Sequence, residues 1–241
     1  MNMYPVWLSD LGQRHCVVFG GGHDGEAERK VQELLACGAR IKVISPSFSK
    51  RLAARDRVEW IPRTYRCGDL DGAFLVIVCE TNPSKTRPIW EEAQQKNVLI
   101  NAMDDIPHCT FVAGSVVRRG KLALSISTSG AAPALSVRLR QRLETEFGTH
   151  YETFLDWMAA MRKPMSIRYP DFDVRRGIWY AIVDSDVLEL LKEKRTSDAV
   201  RRLIALAGRE VVENAKIVRA GYPAHVHGAR VQPESAEEKY P

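Results

Sequence analysis

The 241-residue sequence has no long hydrophobic run. Its apolar stretches, such as Ala73-Phe74-Leu75-Val76-Ile77-Val78-Cys79, are far too short to cross a bilayer. Met1 to Pro5 shows neither the basic region nor the apolar core of an export signal, so secretion is not expected. Cysteine is sparse. The five residues, at 16, 37, 67, 79 and 109, form no C-x-x-C pair and no even-numbered framework. That excludes a disulfide scaffold and points to reduced thiols in the cytoplasm. No metal-ligand spacing is present, so no resident metal site is expected. Acidic residues are missing altogether from Phe111 to Leu143, and residues 111–150 hold six Lys and Arg against two Glu. Such a segment suits an anionic partner (nucleic acid, phosphate or a polycarboxylate), and equally a solvated face opposite an acidic patch.

What is present is the balance of a globular chain: 45% hydrophobic and 27% charged residues. His15–Phe19 is a buried-strand run ending at Gly20-Gly21-Gly22. Ala27, Val31, Leu34 and Leu35 then fall at helical spacing, and Gly38 stops the helix. Arg40–Ser45, Val58–Ile61, Ala73–Cys79 and Val98–Asn101 read as further strands, with a helix from Ser84 to Lys96. This βαβ alternation predicts a parallel sheet covered by helices on both faces. Phe111–Val117 and Leu122–Ser127, separated by Arg118-Arg119-Gly120-Lys121, predict a hairpin. From Ala132 the pattern turns helical over Ala134–Phe147, Tyr151–Met161, Arg175–Val183, Val187–Lys194 and Asp198–Ala207, with Ser197 as N-cap of the last. Trp157, Met158 and Met161 read as core. His225-x-His227 falls in a Gly- and Pro-containing tail beyond about Val218. The expected organisation is a Rossmann-like NAD-binding domain (1–110), a hairpin and helix (111–150), a helical C-terminal domain (151–217) and a tail (218–241).

Gly20-Gly21-Gly22-His23-Asp24-Gly25 satisfies G-x-G-x-x-G between a strand and a helix. Glycines there permit a tight turn, close backbone approach to a pyrophosphate and close helix–strand packing. The helix start presents N–H groups to phosphate charge. The second strand ends in Ser45-Pro46-Ser47 with Lys50 and Arg51 beyond. No carboxylate stands there for a ribose hydroxyl, so NAD and NADP both remain open. Asp104 and Asp105 follow the last parallel strand, where open α/β sheets place ligands. A carboxylate there can act as a base, or simply form a turn before Pro107.

The ordered set of Tyr4-Pro5-Val6-Trp7-Leu8, the triple glycine, Arg29-Lys30, Gly38-Ala39-Arg40, Asp69–Ala73, Asn101–Asp105 with Cys109-Thr110-Phe111, and Ser127–Leu135 resembles the precorrin-2 dehydrogenase family, which includes the N-terminal module of siroheme synthase. Arg176-Gly177-Ile178-Trp179 resembles the helical part of its longer relatives. Three features depart from the family pattern. The glycine loop is two residues longer, so Gly25 and Ala27 both compete for the helix-packing position. Thr128-Ser129-Gly130-Ala131-Ala132-Pro133 has lost a second hydroxyl. The fourth strand ends Cys79-Glu80-Thr81-Asn82.

The resemblance implies NAD-dependent oxidation of precorrin-2 to sirohydrochlorin, with ferrous iron as a substrate only if the chain is bifunctional. It implies a homodimer formed through the middle segment, a tetrapyrrole substrate, and neither a membrane nor a nucleic-acid partner. It assigns catalysis to Asp104 and cofactor contacts to Gly20, Gly21, Gly22, His23, Asp24, Gly25, Ser45, Pro46 and Thr81. Substrate contacts fall to Arg118, Arg119, Lys121, Thr128, Ser129 and Gly130, since a reduced tetrapyrrole rich in carboxylates would give the acid-free segment a purpose. Thr128 can equally serve only to shape its turn. The competing expectation is a non-catalytic NAD-sensing module that binds an acidic partner or nucleic acid. A sensor has no need of the Asn101–Phe111 and Thr128–Leu135 blocks together.

Overall fold

The computed structural model describes residues 3–20 and 25–217, which divide into two compact units. The first runs to Gly114 and takes in Ser127–Pro133. Its sheet contains β1 (His15–Phe19), β2 (Arg40–Ile44), β3 (Val58–Ile61), β4 (Leu75–Val78) and β5 (Leu99–Ala102), in the order β3-β2-β1-β4-β5. Every neighbouring pair is parallel. Strand alternation deals side chains to two cores. Cys16, Val18, Val43 and Ile77 pack with Ala27, Val31 and Leu34 of α1 (Glu26–Ala36). Val17, Phe19, Ile44 and Val76 pack on the other face with Ile89 and Ala93 of α3 (Pro83–Gln95). The predicted Rossmann-like layering is therefore present. A one-turn helix, α2 (Lys50–Ala53), was not foreseen; its four residues are too few to show a period. The order of strands reverses between β1 and β4, and a crevice opens at their carboxyl ends.

A buried carboxylate ties α3 to the loop before β4. Glu92 is 4% exposed. It accepts hydrogen bonds from the Tyr65 hydroxyl (2.5 Å) and from the backbone N–H groups of Gly68 (3.1 Å) and Leu70 (3.3 Å), and it pairs with Lys96. Burial pushes its pKa up, but the bonds from Lys96, Tyr65 and Leu70 outweigh burial and hold it below the usual range. The sign is that of a depressed carboxylate: its stabilisation is full above the ordinary Glu value and fades as pH falls through the native one. Glu92→Ala strands the Leu70 N–H in the core, an expected loss of roughly 1–3 kcal/mol. A urea midpoint unchanged at pH 7 would contradict this.

The second unit comprises Ser115–Ile126 and the chain from Ala134 onward. β6 (Ser115–Arg119) and β7 (Leu122–Ile126) form the predicted antiparallel hairpin. The first strand begins four residues later than its apolar run because Phe111 donates its N–H to Ile100 O (3.3 Å), continuing alongside β5. The helices are α4 (Pro133–Glu146), α5 (His150–Arg168), α6 (Phe172–Val183), α7 (Val187–Lys192), α8 (Thr196–Ala207) and α9 (Arg209–Asn214). Phe154, Met161, Met165, Ile182 and Leu203 form the centre of their core, with Trp157 and Met158 packed against it.

Two expectations are corrected here. α5 runs past Met161 and through Pro164, because Met161 and Met165, both fully buried, anchor the turns on either side. Ser197 is not an N-cap but lies inside α8, whose cap position is Arg195. Asp198 in the first turn draws both Arg195 and Arg201. His225, His227 and the rest of the expected tail lie outside the described residues. Among the described residues no helix is long and apolar enough to cross a membrane.

Candidate active site

The carboxyl ends of β1, β2 and β4 frame a cavity of about 330 Å³ walled by Phe19, Gly20, Ile44, Pro46, Tyr65 and Glu80, among others. Gly20 has a φ of 92°, and a Cβ on it would lie 2.6 Å from Cys79 O and 2.9 Å from Cys79 C. Only glycine lets the end of β1 come this near to the end of β4. Gly21, Gly22, His23 and Asp24 lie outside the described residues. Gly25 is the N-cap of α1 with a φ of 71°. No described atom lies within 4 Å of where its Cβ would stand, whereas Ala27 is 1% exposed in the core. Ala27, not Gly25, therefore holds the close helix–sheet contact.

Ser45 is buried, and its hydroxyl donates to Ser47 O (2.7 Å), so the cavity is lined here by Ile44 at the end of β2 and by Pro46 just beyond it. Thr81 is exposed, and it is Glu80 beside it that lines the wall. Glu80 is paired with Lys85 (2.7 Å) and accepts the Asn82 N–H (3.2 Å). The Lys85 bond is the main reason its carboxyl sits below the usual range. Tyr65 gave no sequence signal, because what points it here is Glu92 on α3. The cradle fits a dinucleotide: a glycine where backbone must come close, and an apolar floor of Phe19, Ile44 and Pro46.

The second centre is the turn after β5. Asp104 is exposed with a φ of 56°, a left-handed conformation uncommon outside glycine. Among the described residues its carboxylate has no hydrogen-bond or ion-pair partner. Asp105 differs: both its oxygens lie 2.8 Å from His108 Nδ1, and the His108 ring meets the Trp90 ring at 4.7 Å, near edge-on. His108 belongs to a single 3-10 turn (Ile106–His108), and both it and Cys109 are used in packing. Asn101 Nδ2 donates to Phe111 O (3.2 Å), and Thr110 Oγ1 accepts the Ile100 N–H (2.8 Å).

The Thr128–Gly130 loop reaches this turn. Gly130 has a φ of 82°, and its missing Cβ would fall 2.4 Å from Ile106 Cδ1, so the Ile106 side chain occupies that space. Thr128 shapes the loop: its Oγ1 accepts the Ala132 N–H (3.2 Å) and its carbonyl the Ala131 N–H (2.9 Å). Ser129, also left-handed at 52°, donates its N–H to Ser127 Oγ (3.1 Å). Two blocks far apart in sequence thus meet within the first unit. Arg118, Arg119 and Lys121 belong to the second unit. There Lys121 is paired with Asp156, Arg119 donates to Glu144 O (3.0 Å), and Arg118 is exposed. Among the described residues no cluster of three or more His, Cys, Asp or Glu is arranged to hold a metal.

Comparison with known proteins gives three consecutive matches. Residues 8–115 match the family described as "Putative NAD(P)-binding", 119–146 "Sirohaem biosynthesis protein central", and 150–206 "Sirohaem synthase dimerisation region". The siroheme synthase 1 of Pectobacterium atrosepticum is 34% identical over 182 residues, 74% of this chain and 37% of that one. The siroheme synthase of Thioalkalivibrio sulfidiphilus is 31% identical over 210 residues, 86% of this chain and 42% of that one. The chain spans about two-fifths of the length of these curated relatives. A solved structure titled "SirC, precorrin-2 dehydrogenase" shares the fold, with a TM-score of 0.67 at 22% identity, covering 89% of this chain and 99% of that one. With all three segments in order, the chain is similar over most of its length to the NAD(P)-binding, central and dimerisation regions of the siroheme synthases.

Proposed function

We propose that this chain is a cytoplasmic, homodimeric precorrin-2 dehydrogenase that converts precorrin-2 to sirohydrochlorin. The observation that carries the proposal is one unit holding three features: a glycine-lined crevice at β1 and β4, an exposed carboxylate at the end of β5, and the Thr128–Gly130 loop locked against that carboxylate's turn. In organisation, residues 1–110 serve the cofactor, 111–150 the substrate and the dimer contact, and 151–217 the helical domain.

NAD, when bound in the crevice, supplies the acceptor for a hydride. Gly20, with no side chain, would let it come close to the end of β1, and Pro46, Tyr65 and Glu80 wall the cavity. The reaction removes one hydride and one proton from precorrin-2. Asp104 takes the proton, because its carboxylate is exposed and uncommitted, whereas that of Asp105 is held by His108. Thr128, Ser129 and Gly130 shape the substrate's side of the turn. Arg118, Arg119 and Lys121 pair with substrate carboxylates.

Mixing purified protein with precorrin-2 and NAD tests the proposal: NADH and the sirohydrochlorin absorbance should rise together. Nucleotide binding without that product would identify a sensing module instead. A parallel run with NADP reads cofactor choice, and ferrous iron added after the reaction has stopped reads chelation. Replacing Arg118, Arg119 and Lys121 together by Ala should raise the apparent KM and flatten its dependence on salt. An unchanged KM at both low and high salt would remove these three from the substrate site.

A further inference from the structure

The sulfur of Cys109 lies against both flanks of the turn that carries Asp104. Cys109 Sγ is 3.2 Å from Ala102 N, 3.2 Å from Ala102 O and 3.3 Å from Asp105 O, and Asn101 Nδ2 approaches it at 3.7 Å. A thiol has one hydrogen and accepting lone pairs. Sγ accepts the Ala102 N–H, and its own hydrogen goes to the carbonyl of Ala102 or of Asp105. Burial pushes the thiol's pKa up, so it stays protonated and keeps that donor. Between the two clasped residues lie only Met103 and Asp104, and Asp104 is held at a φ of 56°. A non-glycine residue in that conformation costs roughly 1 kcal/mol and persists only where its surroundings enforce it. Two other bonds close the turn, from Met103 N to Val78 O (3.0 Å) and from Asp105 N to Ala102 O (3.4 Å). The sulfur adds a second tie between the two residues that the Asp105–Ala102 bond joins.

We propose that Cys109 is the positioning residue of this site: its thiol clasps Ala102 and Asp105 and thereby fixes where the Asp104 carboxylate stands. This rests on the reading of Asp104 as the group that takes the substrate's proton. A displaced catalytic group loses rate steeply, on the order of 10²-fold for 1 Å. Cys109→Ala should therefore lower kcat by roughly 10- to 10²-fold with KM and NAD affinity unchanged. Cys109→Ser, which keeps a donor and an acceptor, should recover most of the loss. Amide exchange at Met103–Asp105 should quicken in the Ala variant and return towards the parent rate in the Ser variant.

Asp104→Ala, run alongside, keeps the two claims apart. If Asp104→Ala is slow while Cys109→Ala turns over at the parent rate, the positioning role is overturned and the reading of Asp104 stands. If Asp104→Ala itself keeps the parent rate, that reading fails, and quickened exchange in Cys109→Ala would then show a clasp on a turn without catalytic use. A fall in activity of Cys109→Ala matched by an equal fall in folded fraction, with no recovery by Ser, would make Cys109 a packing residue and overturn the proposal.

Discussion

Asp104→Ala is expected to slow precorrin-2 oxidation by roughly 10²–10⁴-fold, the range spanned by a positioned proton acceptor. The substitution should spare the fold, because the side chain is exposed and bonds to nothing among the described residues. It should also spare cofactor affinity, since the proposed contacts come from the ends of β1 and β2 and from the glycine loop. Alanine tolerates a φ of 56° no better than aspartate does, whereas Asp104→Gly would relax it. Asp104→Gly should therefore be as slow as Asp104→Ala and slightly more stable. Asp105→Ala acts differently: it frees His108 and loosens the 3-10 turn, with a smaller expected effect on rate. Single-turnover NADH formation in all three variants, with NAD titration beside it, is the measurement. Parent-like turnover by Asp104→Ala would leave the carboxylate as a turn former and nothing more.

The other large effect is expected at Gly20. Gly20→Ala has two separate penalties: a β-carbon 2.6 Å from Cys79 O, and a φ of 92° that side chains rarely adopt. The first cannot be relieved by a rotamer change, because the obstacle is backbone. The ends of β1 and β4 must part, and the hydrogen bond from Cys79 N to Phe19 O (2.8 Å) is the nearest casualty. That parting opens the crevice in which the dinucleotide is proposed to lie, so NAD binding should fall below detection by calorimetry. Stability should fall by more than the roughly 1–2 kcal/mol of left-handed strain alone. Gly72→Ala is the control, at a φ of 70° with no described atom within 4 Å of its β-carbon. It carries the strain without the collision, so a variant of Gly20 no worse than this control would show that the close approach is dispensable.

The sheet was legible because its strands are unbroken runs such as Leu75-Val76-Ile77-Val78, buried on both faces. The hairpin was legible because Arg118-Arg119-Gly120-Lys121 interrupts two apolar runs. Elements of one turn escaped, α2 and α9 among them, since four to six residues cannot display a helical period. Ser197 misled because its residue type suits a cap, whereas the helix begins at Thr196, drawn forward by Asp198 and its two arginines. In the site, motif residues such as Gly20 and Pro46 could be read locally. Tyr65 could not, because its position is set by a carboxylate on α3. Nor could the Cys109 clasp, which depends on a turn folding back on the strand before it.

The path of the chain between its two units has a consequence for how the molecule is made. Polypeptide leaves the first unit at Gly114, builds the β6–β7 hairpin in the second, and returns for Ser127–Pro133 before departing again. The sheet is complete by Ala102, but the turn bearing Asp104 gains its steric stop only when Gly130 arrives to receive Ile106. On the ribosome the nucleotide crevice can therefore form well before the substrate side is finished. A single cleavage after Gly114 should therefore leave every strand of the sheet and its crevice in one fragment, without the Thr128–Gly130 loop that packs against Ile106.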